Sequence, residues 1–120
     1  MKEISLGAVE SRFADIIWQN EPISSAELSL QAERLLGWKK TTSYTVLKRL
    51  CEKGIFNNEK GTVTSLISKE EFFSMQSERF VDETFQGSLP AFLAAFTRGK
   101  RLSAKEVAEL RRMIDEFEEK

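Results

Sequence analysis

Histidine is absent from this 120-residue chain, and cysteine occurs once, at Cys51. The first absence removes the commonest general base and the commonest zinc ligand. No carboxylate pair or glycine-rich phosphate loop takes its place, so an enzyme is not expected. A single cysteine cannot close an internal disulfide, which fits a reducing compartment. No run of about 18 apolar residues occurs, so no membrane-spanning helix is expected. The first residues, MKEISLGAVESRF, lack the apolar core of a signal peptide, and a cytoplasmic location is expected. Repeats and low-complexity runs are also missing. Charge of one sign is not in excess: the net charge is −1, and any affinity for nucleic acid must come from local clustering.

What is present is a core-forming composition. Apolar residues make up 41%, which argues against disorder, and charged residues make up 31%, as a solvated surface needs. Helical periodicity dominates. Leu6, Val9, Phe13, Ile16 and Ile17 define one face of a first helix over residues 6–20, ended by Glu21-Pro22. Ser24 and Glu27 form a capping box for a second helix, with Leu28, Ala32, Leu35 and Leu36 as its buried stripe and Gly37 as its stop. A third helix is expected over residues 41–53, with Gly54 beyond it. At 100° per residue its Ser43, Val46, Leu47 and Leu50 fall on one arc. The opposite side carries Thr41, Thr45 and Lys48, flanked by Thr42, Tyr44 and Arg49.

An extended stretch from Ile55 to Ser68 follows. Val63, Ser65 and Ile67 share one side of a strand, and Lys60-Gly61 stands where a hairpin tip is needed. A fourth helix opens on Ser68 and Glu71 and carries Phe72, Met75 (or Gln76), Phe80 and Val81 on one face, reaching Phe85. Gly87 separates it from a short fifth helix over residues 88–97. A sixth opens on Ser103 and Glu106, with Val107, Leu110, Ile114 and Phe117 as its apolar stripe. The expected fold is mainly α: a winged helix-turn-helix of three helices plus a β-hairpin wing, followed by a C-terminal three-helix dimerisation arm. The expected division is a winged-helix DNA-binding domain at residues 1–68 and a helical dimerisation domain at 69–120.

The third helix is the candidate DNA reader. Residues 39–53 hold Lys39, Lys40, Lys48, Arg49 and Lys53 against the single acid Glu52, a local +4 in a chain of −1. Clustered cations of this kind bind phosphates through counterion release. Threonine hydroxyls and methyls can meet base edges, and such an amphipathic helix is what a recognition helix requires. Lys60 at the hairpin tip is placed to touch the flanking backbone. Thr41 or Thr42 has a second reading as a helix cap. Trp38 and Cys51 read as packing residues. The alternative reading of the whole domain is a winged-helix protein-interaction module that does not touch DNA.

Seven of the nine phenylalanines lie beyond residue 70, more aromatic surface than three short helices easily bury alone. Phe72, Phe80, Phe85, Phe92 and Phe96, with the Val107, Leu110, Ile114 and Phe117 stripe, are the candidate dimer contacts.

Gly37-Trp38-Lys39-Lys40-Thr41-Thr42-Ser43-Tyr44-Thr45-Val46-Leu47-Lys48-Arg49-Leu50, then Lys53-Gly54, Gly87-Ser88-Leu89 and Leu102-Ser103 through Leu110, resemble the penicillinase and methicillin-resistance repressors. This BlaI/MecI family includes copper-responsive CopY-type members. The resemblance covers nearly the whole chain. It implies a dimer of winged-helix domains on a palindromic operator, repressing genes beside its own. It implies Thr41, Thr42, Tyr44, Thr45 and Arg49 as DNA contacts, and release through a membrane sensor protease. Lys39 and Lys40 stand where relatives often have serine and proline. The family's Asn-Phe cleavage bond aligns with Ala95-Phe96. The copper branch ends in closely spaced cysteines that this chain lacks, so no metal or cofactor is expected.

Overall fold

The computed structural model describes residues 6–118. Their elements run in the order α1 (Ala8–Asn20), β1 (Ile23–Ser24), α2 (Ser25–Leu36), α3 (Lys40–Glu52), β2 (Phe56–Glu59) and β3 (Thr62–Ser65). α4 (Lys69–Phe85), α5 (Leu89–Gly99) and α6 (Ala104–Glu118) follow. This is the mainly α winged-helix order that the periodicity implied. The chain falls into two compact units, Met1–Glu78 and Arg79–Lys120.

Capping positions the helices of the first unit. α1 stops at Asn20 because the next residue, Glu21, precedes a proline and is extended at ψ 145°. The Ser24 hydroxyl accepts from the Glu27 backbone N–H at 3.0 Å and starts α2. Gly37 ends α2 at φ 71°, a left-handed conformation that a side chain would penalise. Its N–H donates to Glu33 O at 3.0 Å, the bond of an αL cap, and Trp38 N–H donates to Ala32 O at 3.3 Å. The chain thereby turns sharply into α3.

The wing is a two-residue hairpin. Glu59 pairs with Thr62, leaving Lys60 and Gly61 as the loop at φ 51° and 85°. Two consecutive positive φ values define a type I′ turn, whose twist matches that of paired strands. The Asn58 side-chain oxygen accepts from Gly61 N–H at 3.1 Å and holds the turn. The periodicity does not reveal β1, whose two residues pair antiparallel with β3 through Ile23↔Val63 and Ser24↔Thr62. Two residues are too short to show alternation. The sheet order is therefore β1-β3-β2.

The core of this unit joins α1, α2, α3, the sheet and the first turn of α4. Phe13, Ile17, Leu28, Leu50, Ile55, Phe56, Val63 and Phe72 are fully buried. Phe13 stacks on Trp38 at 5.0 Å between ring centroids, which makes Trp38 a packing residue. Trp18 lies between Phe56 (5.1 Å) and Phe72 (5.6 Å) and donates its Nε1–H to Ile67 O at 3.2 Å. Two expectations are corrected here. Val9 and Leu35 lie on their helices' apolar stripes but are 51% and 53% exposed, because each stands beyond the edge of the packed face. Phe72 was expected at a dimer interface, yet it is 0% exposed within one chain and has no surface to offer a partner. The compact first unit runs to Glu78 and includes the start of α4, where Phe72 packs in the Trp18 cluster.

Ser43 belongs to the buried arc of α3, as expected, but its hydroxyl has no hydrogen-bond partner. An unsatisfied buried hydroxyl is unfavourable, and alanine is also the better helix former. Ser43→Ala should therefore stabilise the protein by about 1 kcal/mol. Urea unfolding checks this, and a loss of stability would show that the hydroxyl is satisfied in solution.

The second unit is built differently. Phe80, Phe85 and Phe92 meet edge to face at 5.6–6.1 Å between centroids, and Phe96 lies 6.0 Å from Phe92. Ser88 caps α5 through Ala91 N–H at 3.1 Å. Ser103 and Glu106 close a reciprocal capping box at α6, with bonds of 3.1 and 3.0 Å. The bonds from the Ser103 backbone and side chain hold the Glu106 carboxyl below its ordinary value. Even so, among the described residues of this unit no side chain is buried.

Candidate nucleic-acid interface

α3 presents its open face as the amphipathic pattern requires. Lys39, at the N-cap, and Lys40, Thr41, Thr42, Thr45, Lys48 and Arg49 are exposed, while Ser43, Val46, Leu47 and Leu50 are buried beneath them. Neither Thr41 nor Thr42 caps the helix, since the N-cap position belongs to Lys39. Lys60 is exposed at the tip of the wing. The wing is also tied back to the start of α2, where Ser25 N–H donates to Gly61 O at 2.8 Å. The tip therefore cannot swing independently of the helix-turn-helix.

The polar side chains of this face are not all equally available. Thr45 Oγ1 donates to Thr41 O at 2.9 Å, which leaves its lone pairs and methyl outward. Tyr44 is half-buried; its hydroxyl lies 3.4 Å from Ser25 Oγ, and Lys40 Nζ sits 5.9 Å from its ring centre. Arg49 Nη1 lies 3.3 Å from Glu10 Oε2, with the arginine side chain 53% exposed and the glutamate 22%. Glu10, on α1, neutralises part of the charge that the sequence pattern assigned to α3. Sequence reading missed it, because 39 positions separate the pair and no periodicity spans helices.

Beside α3 a cleft of about 480 Å³ runs between that helix and β2. It is lined by Tyr44, Leu47, Lys48, Cys51, Asn57 and Asn58. The structure thus gathers Tyr44 and Lys48 on the flank facing the wing and leaves Arg49 on the flank facing α1. Asn57 and Asn58 carried no signal in the sequence, because a strand of four residues shows too little alternation to mark its polar side. Cys51 is half-buried against the core, in keeping with a packing residue. Burial pushes its thiol above the ordinary value; the Asn58 backbone bond opposes that shift, and Glu52 adds to it.

In the second unit, Phe92, Phe96, Leu102, Leu110 and Met113 line a shallow apolar groove between α5 and α6. Phe80, Phe96, Ile114 and Phe117 are largely exposed, whereas Phe85, Phe92, Val107 and Leu110 are half-buried. Ala95 and Phe96 are both exposed, in the interior of α5. Among the described residues no helix is long and apolar enough to cross a membrane, and no histidine, cysteine, aspartate and glutamate cluster could hold a metal ion.

Similarity to known proteins extends over nearly the whole chain. The family model described as penicillinase repressor matches residues 6–116. The penicillinase repressor of Bacillus licheniformis is 27% identical over 121 residues, covering 97% of this chain and 94% of its own. The methicillin resistance regulatory protein MecI of Staphylococcus aureus (strain Mu50) is 23% identical, covering 95% and 96%. A penicillinase repressor of Staphylococcus aureus is 21% identical over 99% of this chain and 98% of its own. With both the winged-helix unit and the helical unit inside the match, the chain belongs to the penicillinase repressor family.

Proposed function

We propose that this chain, a DNA-binding transcriptional repressor and not an enzyme, works in the cytoplasm as a homodimer on an inverted-repeat operator. The observation that carries the DNA reading is the exposed basic and threonine-rich face of α3 over an apolar, buried one. α3 enters the major groove, where Thr41, Thr42 and Thr45 meet base edges, while Lys39, Lys40, Lys48 and Lys60 contact phosphates. Arg49 adds a weaker contact than a free arginine would, because Glu10 shares its charge. Arg49→Ala should lower affinity for operator and random duplex alike by no more than about tenfold. Fluorescence anisotropy over a salt series checks this, and unchanged affinity would remove Arg49 from the interface.

The dimer reading rests on the second unit. A helical unit with no buried side chain among its described residues has little apolar burial of its own to offset the entropy of folding. A second copy supplies the missing contact area, with the exposed faces of α5 and α6 as the contact. Ile114 and Phe117 are 53% and 70% exposed, so replacing both with glutamate should not strain a single chain. The double variant should run as a monomer in size-exclusion chromatography with light scattering, with the first unit still folded. A dimer of unchanged stability would move the interface elsewhere. A two-fold dimer sets the two α3 helices about one DNA turn, roughly 34 Å, apart or a multiple of that, so footprinting should show an inverted repeat.

Release is proposed to follow cutting at Ala95–Phe96 by a membrane sensor protease. The bond lies inside α5, so the helix must open locally before a protease can hold it extended. Mass spectrometry of the chain from induced cells should then show a fragment ending at Ala95. Intact chain throughout induction would refute cleavage as the release step.

A further inference from the structure

Of the cations on the open face of α3, Arg49 has an acid set against it. Lys39, Lys40 and Lys48 have no carboxylate partner among the described residues, whereas Arg49 Nη1 lies 3.3 Å from Glu10 Oε2. The acid comes from another helix. Glu10 is the third residue of α1, and its Oε1 accepts from the Gly7 backbone N–H at 3.5 Å. One oxygen therefore helps to cap α1, and the other faces Arg49. With its side chain 22% exposed, this carboxylate is held against its own helix and loses little further rotamer freedom on meeting the guanidinium.

The contact is long for a charge-assisted pair, which ordinarily closes to about 2.7–2.9 Å and is frequently bidentate with arginine. The guanidinium fork is thus only partly used, and more than half of the arginine side chain is open to solvent. A phosphate offers the fork two oxygens, and taking both means leaving Glu10. We infer that Glu10 is a built-in competitor for Arg49: duplex binding exchanges the carboxylate for a phosphate, and that exchange holds down affinity for every sequence. The inference rests on the DNA-binding reading above. It adds to that reading an autoinhibitory residue outside α3, one whose removal strengthens binding. Duplex is thereby released at lower salt than the same face would allow without the acid.

Glu10→Gln tests this in the full-length protein, because the amide oxygen can still accept from Gly7 N–H while the charge is gone. Anisotropy against a random-sequence duplex would be read over a salt series. At physiological salt Glu10→Gln should bind about two- to fivefold more tightly than the parent, the range expected for releasing one exposed ion pair. Its salt slope should steepen by about 1, as one further phosphate contact requires. In an Arg49→Ala background the same substitution should change affinity by less than about 1.5-fold, because no fork remains to be released. Glu10→Ala, which removes the cap as well, should reproduce the gain in affinity, and thermal unfolding by circular dichroism checks that each variant folds. A parent-like or weaker affinity of folded Glu10→Gln overturns the inference, the weaker value meaning that Glu10 positions Arg49 for the duplex. An equal gain with and without Arg49 also overturns it, since the acid would then act by plain repulsion of phosphates. Either result leaves the repressor reading standing, whereas absence of parent binding even at low salt overturns both.

Discussion

Phe72→Ala is expected to lower the stability of the winged-helix unit by about 3–5 kcal/mol. Domains of this size are stable by only about 5–15 kcal/mol, so much of the DNA-binding unit would be unfolded at moderate temperature. The physical reason is the position of the ring. Phe72 is fully buried, 5.6 Å from Trp18 by ring centroid, and Trp18 in turn packs on Phe56 of the first wing strand. Deleting the ring removes its transfer free energy and leaves a void that Trp18 and Phe56 can fill only by moving. Urea unfolding followed by tryptophan fluorescence reads the change. If Phe72 were a dimer contact instead, the variant would keep its unfolding midpoint when monomeric and lose only association. That outcome would contradict the packing described here.

The second large effect concerns charge. Lys39, Lys40 and Lys48 are exposed on or beside α3, and none contributes to the core. Replacing all three with alanine should reduce the slope of log affinity against log salt by about 2.7, from about 0.9 per phosphate contact. At physiological salt this corresponds to roughly a hundredfold weaker binding to any duplex. The melting temperature should stay close to the parent's, because surface substitutions of this kind usually change stability by under about 0.5 kcal/mol. A wild-type salt slope in the triple variant would show that α3 does not face the phosphates.

Most of the local structure was legible in advance, for one reason: its signals act over three or four residues. Ser24, Ser68 and Ser103 each accept from the backbone N–H three residues on, at the expected helix starts. The Lys60-Gly61 tip, the Gly37 stop and the four buried residues of α3 follow from equally local chemistry. The family resemblance seen in residues 37–54 extends across the family match. Features that depend on distant partners were not legible. Phe72 and Phe80 occupy the same stripe of α4, yet one is fully buried and the other is 49% exposed. Nothing in their spacing distinguishes them; the difference is that α4 meets Trp18 at its first turn.

The same contrast holds at the DNA-facing surface. A single helix dictates which of its own side chains face outward, because 100° per residue is a property of the backbone, and the basic open face of α3 was therefore implicit in residues 39–53. Whether an exposed charge is free, shared or set beside a wall depends on what another element brings up to it. Glu10 reaches Arg49 from α1, and Asn57 and Asn58 come alongside Lys48 from β2. The two-residue β1 exists only because β3 offers it hydrogen bonds. Periodicity and capping are short-range and can be read along the chain. Pairing between elements depends on how their faces pack, and it exists only once the core around Phe13, Trp18 and Phe72 has formed.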